Sequence, residues 1–172
     1  PCALLLGGFD GLHRGHAALL AAAKATGLPV GMTSILGGKA GGELFTGRER
    51  RYLFEEAGVT FVAEYPFSER FRTTSPGDFL RGLFARVHAR AVFCGEDFRF
   101  GKDAAGTPAF LKAHAPCPVH VLPLAQEQGE KIATSRIKQM IARADMAGAD
   151  ALLLHPYFLA GTVEHGRHVG GP

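Results

Sequence analysis

Ten residues near the N-terminus constrain this chain more than any other stretch: Gly7-Gly8-Phe9-Asp10-Gly11-Leu12-His13-Arg14-Gly15-His16. They follow the apolar run Ala3-Leu4-Leu5-Leu6, long enough for a buried strand. They precede residues 17–25, dominated by Ala and Leu, the best helix formers. The order is therefore strand, glycine turn, helix N-terminus. Exposed backbone N–H groups and the positive end of the helix dipole make such a turn an anion site. His13 and His16 lie on one helix face and can reach the same anion. Two other readings fit the residue types. The glycines could only shape a tight turn. Asp10, His13 and His16 are also spaced like metal ligands, which would leave the glycines unexplained. Neither Walker A, GxxxxGK[ST], nor the dinucleotide string GxGxxG is present.

The rest of the chain alternates strands and helices. A helix is expected over about 15–26, closed by Gly27, and a second buried strand over 28–35. Strand, helix and strand then form a right-handed βαβ unit. Residues 36–47 read as a loop with two glycine pairs, and Lys39 between them as an exposed lysine within reach of a phosphate. Residues 48–57 are helical with Tyr52, Leu53 and Phe54 inward, 59–65 a third strand, and 66–74 irregular. Ser75-Pro76-Gly77-Asp78 starts a helix, with Ser as N-cap and Pro in the first turn. Phe79, Leu80, Leu83 and Phe84 give it an apolar face. A fourth strand, 91–94, runs into Gly95–101. Thr107-Pro108 opens a short helix to His114, and 119–122 is a fifth strand. Thr134 or Ser135 caps a helix over about 136–144, and a last helix covers 149–154. This order implies an α/β fold, a Rossmann-like parallel sheet flanked by helices. Ligands of such sheets bind beyond the carboxyl ends of the strands, where strand order reverses. The glycine–histidine turn, the Gly95 loop and the Thr134 turn are expected to converge there.

Composition limits the partners. With 47% hydrophobic and 20% charged residues, 172 residues can build one core without metals or disulfides. The net charge of +3 suits anionic small substrates. The only dense basic cluster, Arg48-Glu49-Arg50-Arg51, is broken by Glu49 and reads as a solvated helix face, so no nucleic-acid partner is expected. Cys2, Cys94 and Cys117 are odd in number and form no CxxC, which points to free thiols in a reducing cytoplasm. No apolar run approaches the ~20 residues of a membrane helix, and no signal peptide opens the chain. It begins without Met, so it is processed, trimmed or a fragment.

His13-Arg14-Gly15-His16 resembles the HxGH signature of the nucleotidyltransferases related to class I aminoacyl-tRNA synthetases. The full string, GxFDGxHxGH, is similar to that of FMN adenylyltransferases, the FAD synthetase module of bacterial bifunctional riboflavin kinase/FAD synthetases. Cys94 to Gly101 resembles that family's GxDFxFG segment, where alternating aromatics offer a flat wall for an isoalloxazine ring. Lys131 to Lys138 resembles its ISSTxIR segment, with Ala133 in place of the first Ser and Lys138 in place of Arg. Arg136 should point about 200° around the helix from Lys138. The FxPxP-like stretch of the family is replaced by Ser34-Ile35-Leu36-Gly37-Gly38. Leu154-His155-Pro156-Tyr157 looks like the GRPY connector, and residues 161–167 like the first strand of a riboflavin kinase barrel. The chain stops where the PTxN motif of that barrel would begin.

The resemblance implies a catalytic domain over 1–153, followed by a connector and truncated kinase-like stub over 154–172. It implies transfer of AMP from ATP to FMN, giving FAD and pyrophosphate, with Mg²⁺ arriving on ATP and no metal ligands from the protein. Riboflavin kinase activity is not expected, although the parent chain could carry a kinase module. His13, His16 and Lys138 would be catalytic. Gly8, Phe9, Asp10, Gly11, Gly15, Thr134, Ser135 and Arg136 would join them around ATP. Asp97, Phe98, Phe100 and Gly101 would face the flavin. The alternatives are a cytidylyltransferase or pantetheine-phosphate adenylyltransferase of the same fold, or a non-catalytic flavin- or nucleotide-binding module.

Overall fold

A computed structural model describes residues 1–37 and 42–163. Lys39 and the C-terminal part of the stub, residues 164–172, lie outside the described residues. At the centre stands β1 (Cys2–Leu5), buried along its whole length. β2 (Val30–Leu36) and then β3 (Phe61–Pro66) lie to one side, and β4 (Ala89–Gly95) and then β5 (Val119–Leu122) to the other. All four pairings are parallel. This is the expected Rossmann-like sheet. Strand order reverses between β1 and β4, which opens a crevice beyond their carboxyl ends.

A strand covered on both faces is apolar throughout, which explains the lack of alternation in Ala3-Leu4-Leu5-Leu6. Its side chains still project to opposite layers. Ala3 and Leu5 share one layer with Leu19, Leu20 and Ala23 of α1 (Arg14–Lys24) and with Leu53 and Phe54 of α2 (Gly47–Glu56). Ile137 of α6 (Thr134–Ala142) and Leu152 of α7 (Met146–Leu152) complete that layer. Cys2, Leu4 and Leu6 share the other with Leu80 and Leu83 of α4 (Pro76–Phe84) and Leu111 of α5 (Pro108–His114). Leu4 and Leu5 are fully buried, so truncating either to Ala costs about 2–5 kcal/mol.

The structure departs from the sequence expectations at several points. Residues 66–74 are not all irregular: α3 (Glu69–Thr73) forms there, with Ser68 accepting from the Phe71 N–H at 3.2 Å and Glu69 pairing with Arg72. One helical turn is too short to show a period. Tyr52 is 55% exposed rather than inward, because the buried face of α2 is Glu49, Arg50, Leu53 and Phe54. Helix α6 starts at Thr134, so its N-cap is Ala133 and not Thr134 or Ser135, and no side chain caps it. A hairpin of β6 (Gln126–Glu127) and β7 (Glu130–Lys131) precedes it. Helix α7 begins three residues earlier than expected, because Asp145 accepts from the Gly148 N–H at 2.9 Å.

Candidate active site

The turn after β1 is pinned from β2. Gly7 N–H donates to the Thr33 hydroxyl at 3.1 Å, that hydroxyl donates to the Gly7 carbonyl at 2.8 Å, and Ser34 Oγ donates to the Phe9 carbonyl at 2.8 Å. The chain then enters α1 with His13 as its N-cap in extended conformation. The His13 N–H points at His16 Nδ1, at 3.5 Å. The two imidazoles stack with centroids 3.7 Å apart. Gly15 permits this: a Cβ there would stand 2.8 Å from the His13 ring and 3.2 Å from the Ile132 carbonyl.

His13 is only 6% exposed, and its Nδ1 has no hydrogen-bond partner. Burial pushes its pKa down to about 4; a backbone hydrogen bond opposes this and the nearby Lys131 ammonium adds to it. At neutral pH the ring is therefore uncharged. An uncharged, desolvated imidazole at a helix N-terminus can engage a phosphate oxygen where charge develops.

Both rings line a cleft of about 540 Å³ at the switch point. Gly7, Gly8, Phe9 and Gly15 line it from the turn, residues 97–101 from the loop after β4, and residues 131–134 from the entry to α6. The three expected segments thus converge. Phe98 and Phe100 stack at 5.3 Å, and Phe79 packs on Phe100 at 5.5 Å. Tyr65, Phe67 and Phe71 extend the aromatic wall, with Tyr65 and Phe71 at 5.4 Å. The sequence reading did not place these three or Phe79 at the site; aromatics four apart at 67 and 71 were the available signal. Lys131 was also missed as a site residue. It lines the cleft and forms an ion pair with Asp97 across its rim.

Other expected site residues lie elsewhere. Asp10 and Gly11 sit behind the turn. Asp10 is 1% exposed, and its Oδ2 accepts from the Leu44 N–H at 3.0 Å. Lys138 is outside the cleft lining: its ammonium lies 3.0 Å from Asp10 Oδ2 and donates to the Gly42 carbonyl. Arg136 pairs with Glu130 at 3.3 Å, on a different side of α6 from Lys138, as the helical angle required. Ser135 is exposed and outside the lining, whereas Thr134 is within it.

The basic cluster expected to be a solvated face is divided. Arg50 is fully buried, donating to the Ile35 carbonyl at 2.9 Å, pairing with Glu43, and standing 3.7 Å from Asp10 Oδ1. Adjacent charges on a helix point in different directions, so a run of them can serve both solvent and core. Among the described residues no group of three His, Cys, Asp or Glu side chains is placed to hold a metal ion, and no helix is long and apolar enough to cross a membrane.

Fold and site together define a class, a Rossmann-like α/β protein with a glycine–histidine turn at the switch point of its sheet. Residues 1–136 match the family model for FAD synthetase. The bifunctional riboflavin kinase/FMN adenylyltransferase of Escherichia coli (strain K12) is 32% identical over 98% of this chain and 59% of that protein. The protein of the same name from Bacillus subtilis (strain 168) is 30% identical over 98% and 60%. A crystal structure titled macrolide-efflux protein, from Streptococcus pneumoniae, superposes with a TM-score of 0.81 at 24% identity, covering 91% of this chain and 65% of that one. That last likeness concerns the fold alone. The chain belongs to the FAD synthetase family. It spans about three fifths of the length of the two bifunctional relatives.

Proposed function

We propose that this chain transfers AMP from ATP to FMN, releasing pyrophosphate and forming FAD. One observation carries the reading beyond family membership: an uncharged His13, its Nδ1 without a partner, stacked on His16 at a helix N-terminus and lining an aromatic-walled cleft. An oxygen of the FMN phosphate attacks the α-phosphorus of ATP, and the bond to the β,γ-pyrophosphate breaks. The nucleophile is already anionic, so no general base or covalent protein intermediate is needed. The protein positions the groups in line and stabilises developing charge.

His13, His16 and the N–H groups of the turn would hold the triphosphate, with Gly8 and Gly15 giving close backbone approach. The uncapped start of α6, at Thr134, presents a second set of N–H groups to the same cleft. Lys131 supplies the cation within the cleft, exchanging Asp97 for phosphate. Lys138 would act from behind, through Asp10. Ser135 and Arg136 take no direct part. Asp97, Phe98, Phe100 and Gly101 would bind the flavin, with Phe79, Phe71 and Tyr65 continuing the wall. Mg²⁺ enters on the phosphates of ATP. A cytoplasmic setting suits the three free thiols, and a riboflavin kinase module in the parent polypeptide would supply FMN.

The test is incubation of the chain with ATP, Mg²⁺ and either FMN or riboflavin, with chromatographic separation of the flavins. FAD is expected from FMN, and no FMN from riboflavin. Tight flavin or nucleotide binding without turnover would instead identify a binding module, a reading that the engagement of Lys138 by Asp10 favours.

A further inference from the structure

The segment after α7 is built into the back of the histidine turn. Leu153 makes an antiparallel bridge with His13, and the Leu154 N–H donates to the Leu12 carbonyl at 3.1 Å. The chain then wraps around Phe45, which is 1% exposed. The rings of His155, Tyr157 and Phe158 stand 5.3, 5.4 and 5.5 Å from it. The opposite side of Phe45 lies on Gly11, where a Cβ would come within 2.8 Å of the ring and φ is +148°. The strap ends on a polar anchor. The Ala160 N–H donates to Glu49 Oε1 at 2.6 Å, and Glu49 also closes the capping box of α2 with Thr46. Burial pushes the Glu49 carboxyl up, but the Ala160 and Thr46 donors outweigh it and hold the pKa below its usual value.

The strap itself, residues 153–160, lies beyond residue 136, where the family match ends. We infer that residues 153–160 are a positioning element of the adenylyl-transfer site, with Phe158 and Tyr157 as positioning residues that act on Gly11 through Phe45. The strap grips the turn at Leu12 and His13 by backbone and at Gly11 by packing. Those contacts fix how deeply the His13 ring is seated against His16 and over Gly15. With the strap loosened, the turn can back away from α6 and water can reach the imidazole. The chemistry assigned to His13 rests on the proposed function; its seating does not.

The experiment uses the full chain and NMR titration of its histidines, with the His13 signal assigned by its loss in His13→Gln. His16 and Lys131 face the ring in every variant and are left intact. In the unaltered protein the His13 midpoint is expected near 4. In Phe158→Ala it should rise towards the ordinary 6.5. Turnover should fall by on the order of tenfold with the KM for ATP changed less than about threefold, the pattern of lost alignment. Phe158→Leu should restore most of both. Ala160→Pro, which deletes the N–H to Glu49 and leaves the rings alone, should move the midpoint the same way by less. It also serves as the test if Phe158→Ala fails to fold. Loss of thermal stability with the His13 midpoint and turnover unmoved would overturn the inference and leave the strap as mere cover. If the unaltered chain makes no FAD while the midpoint still shifts in the variants, the strap stands and the proposed reaction fails.

Discussion

The two sides of the glycine–histidine turn are built in opposite ways. Its front faces the cleft and keeps a polar atom in reserve: His13 Nδ1 is buried, uncharged at neutral pH and without a partner. Its rear is heavily engaged. Asp10 takes Leu44 N–H and Lys138, Arg50 takes the Ile35 carbonyl and Glu43, and Phe45 fills the space over Gly11. Among the described residues, Asp10 and Glu43 stand against Arg50 and Lys138 behind the turn. The lesson is one of division. A buried polar group left unpaired is costly, and the turn tolerates one in front because the rear holds its backbone so firmly.

The comparison can be broken most severely at Arg50. Arg50→Met removes a fully buried counter-ion from beside Asp10 and Glu43. The expected loss is about 3–5 kcal/mol of folding stability in urea titration. A loss below about 1 kcal/mol would mean the rear network is not what holds the turn.

The front should respond in rate and not in stability. His16→Ala is expected to lose turnover by more than a factor of roughly 10² while the unfolding midpoint hardly moves. Near-normal turnover in a folded variant would make His16 a structural residue.

His13 also sharpens the contrast through pH. Its pKa in the folded protein, about 4, lies below the ordinary 6.5. The unfolded chain therefore takes up this proton first as pH falls. Its stabilising contribution is complete above about 6.5, declines through the window below it, and is gone below about 4. Urea titrations at pH 7 and 4.5 should show less of this decline in His13→Gln than in the unaltered protein. An equal decline would show that the ring is not buried in the neutral form.

The smallest effects are expected on α6. Lys138→Arg keeps a cation beside Asp10 and should leave activity within about threefold, because the contact is an ion pair that either head group can make. Arg136→Ala, which loses a partly exposed pair with Glu130, should cost less than about 1 kcal/mol and little activity. If Arg136→Ala cripples turnover and Lys138→Ala is silent, the roles of these two residues are exchanged.

How far the sequence foretold this molecule follows from how local each cause is. The strand–turn–helix unit of residues 3–26 was legible because apolar run, glycines and helix formers act within a few residues. The α4 start at Ser75-Pro76 was legible for the same reason, and Ser75 does accept from the Asp78 N–H at 3.1 Å. Arg50 was not legible: its burial depends on Asp10, Glu43 and Ile35, which the fold alone brings to it. Nor was the exchange of Lys138 for Lys131 at the cleft. Both are lysines in one segment, but Lys131 ends β7 and Lys138 sits on α6, and only the fold decides which ammonium faces the cavity. The start of α6 misled because a hydroxyl is the common cap, whereas Ala133 in extended conformation begins this helix uncapped.

One measurement tests the proposed chemistry most directly. The chain is supplied with FMN, Mg²⁺ and ATP carrying a phosphorus label at either the α or the γ position, and the flavin products are counted. Transfer of AMP requires the α label to appear in FAD and the γ label to leave in pyrophosphate, with both signals falling in His16→Ala. Label from the γ position on a flavin, or unlabelled FAD from the α-labelled ATP, would contradict it.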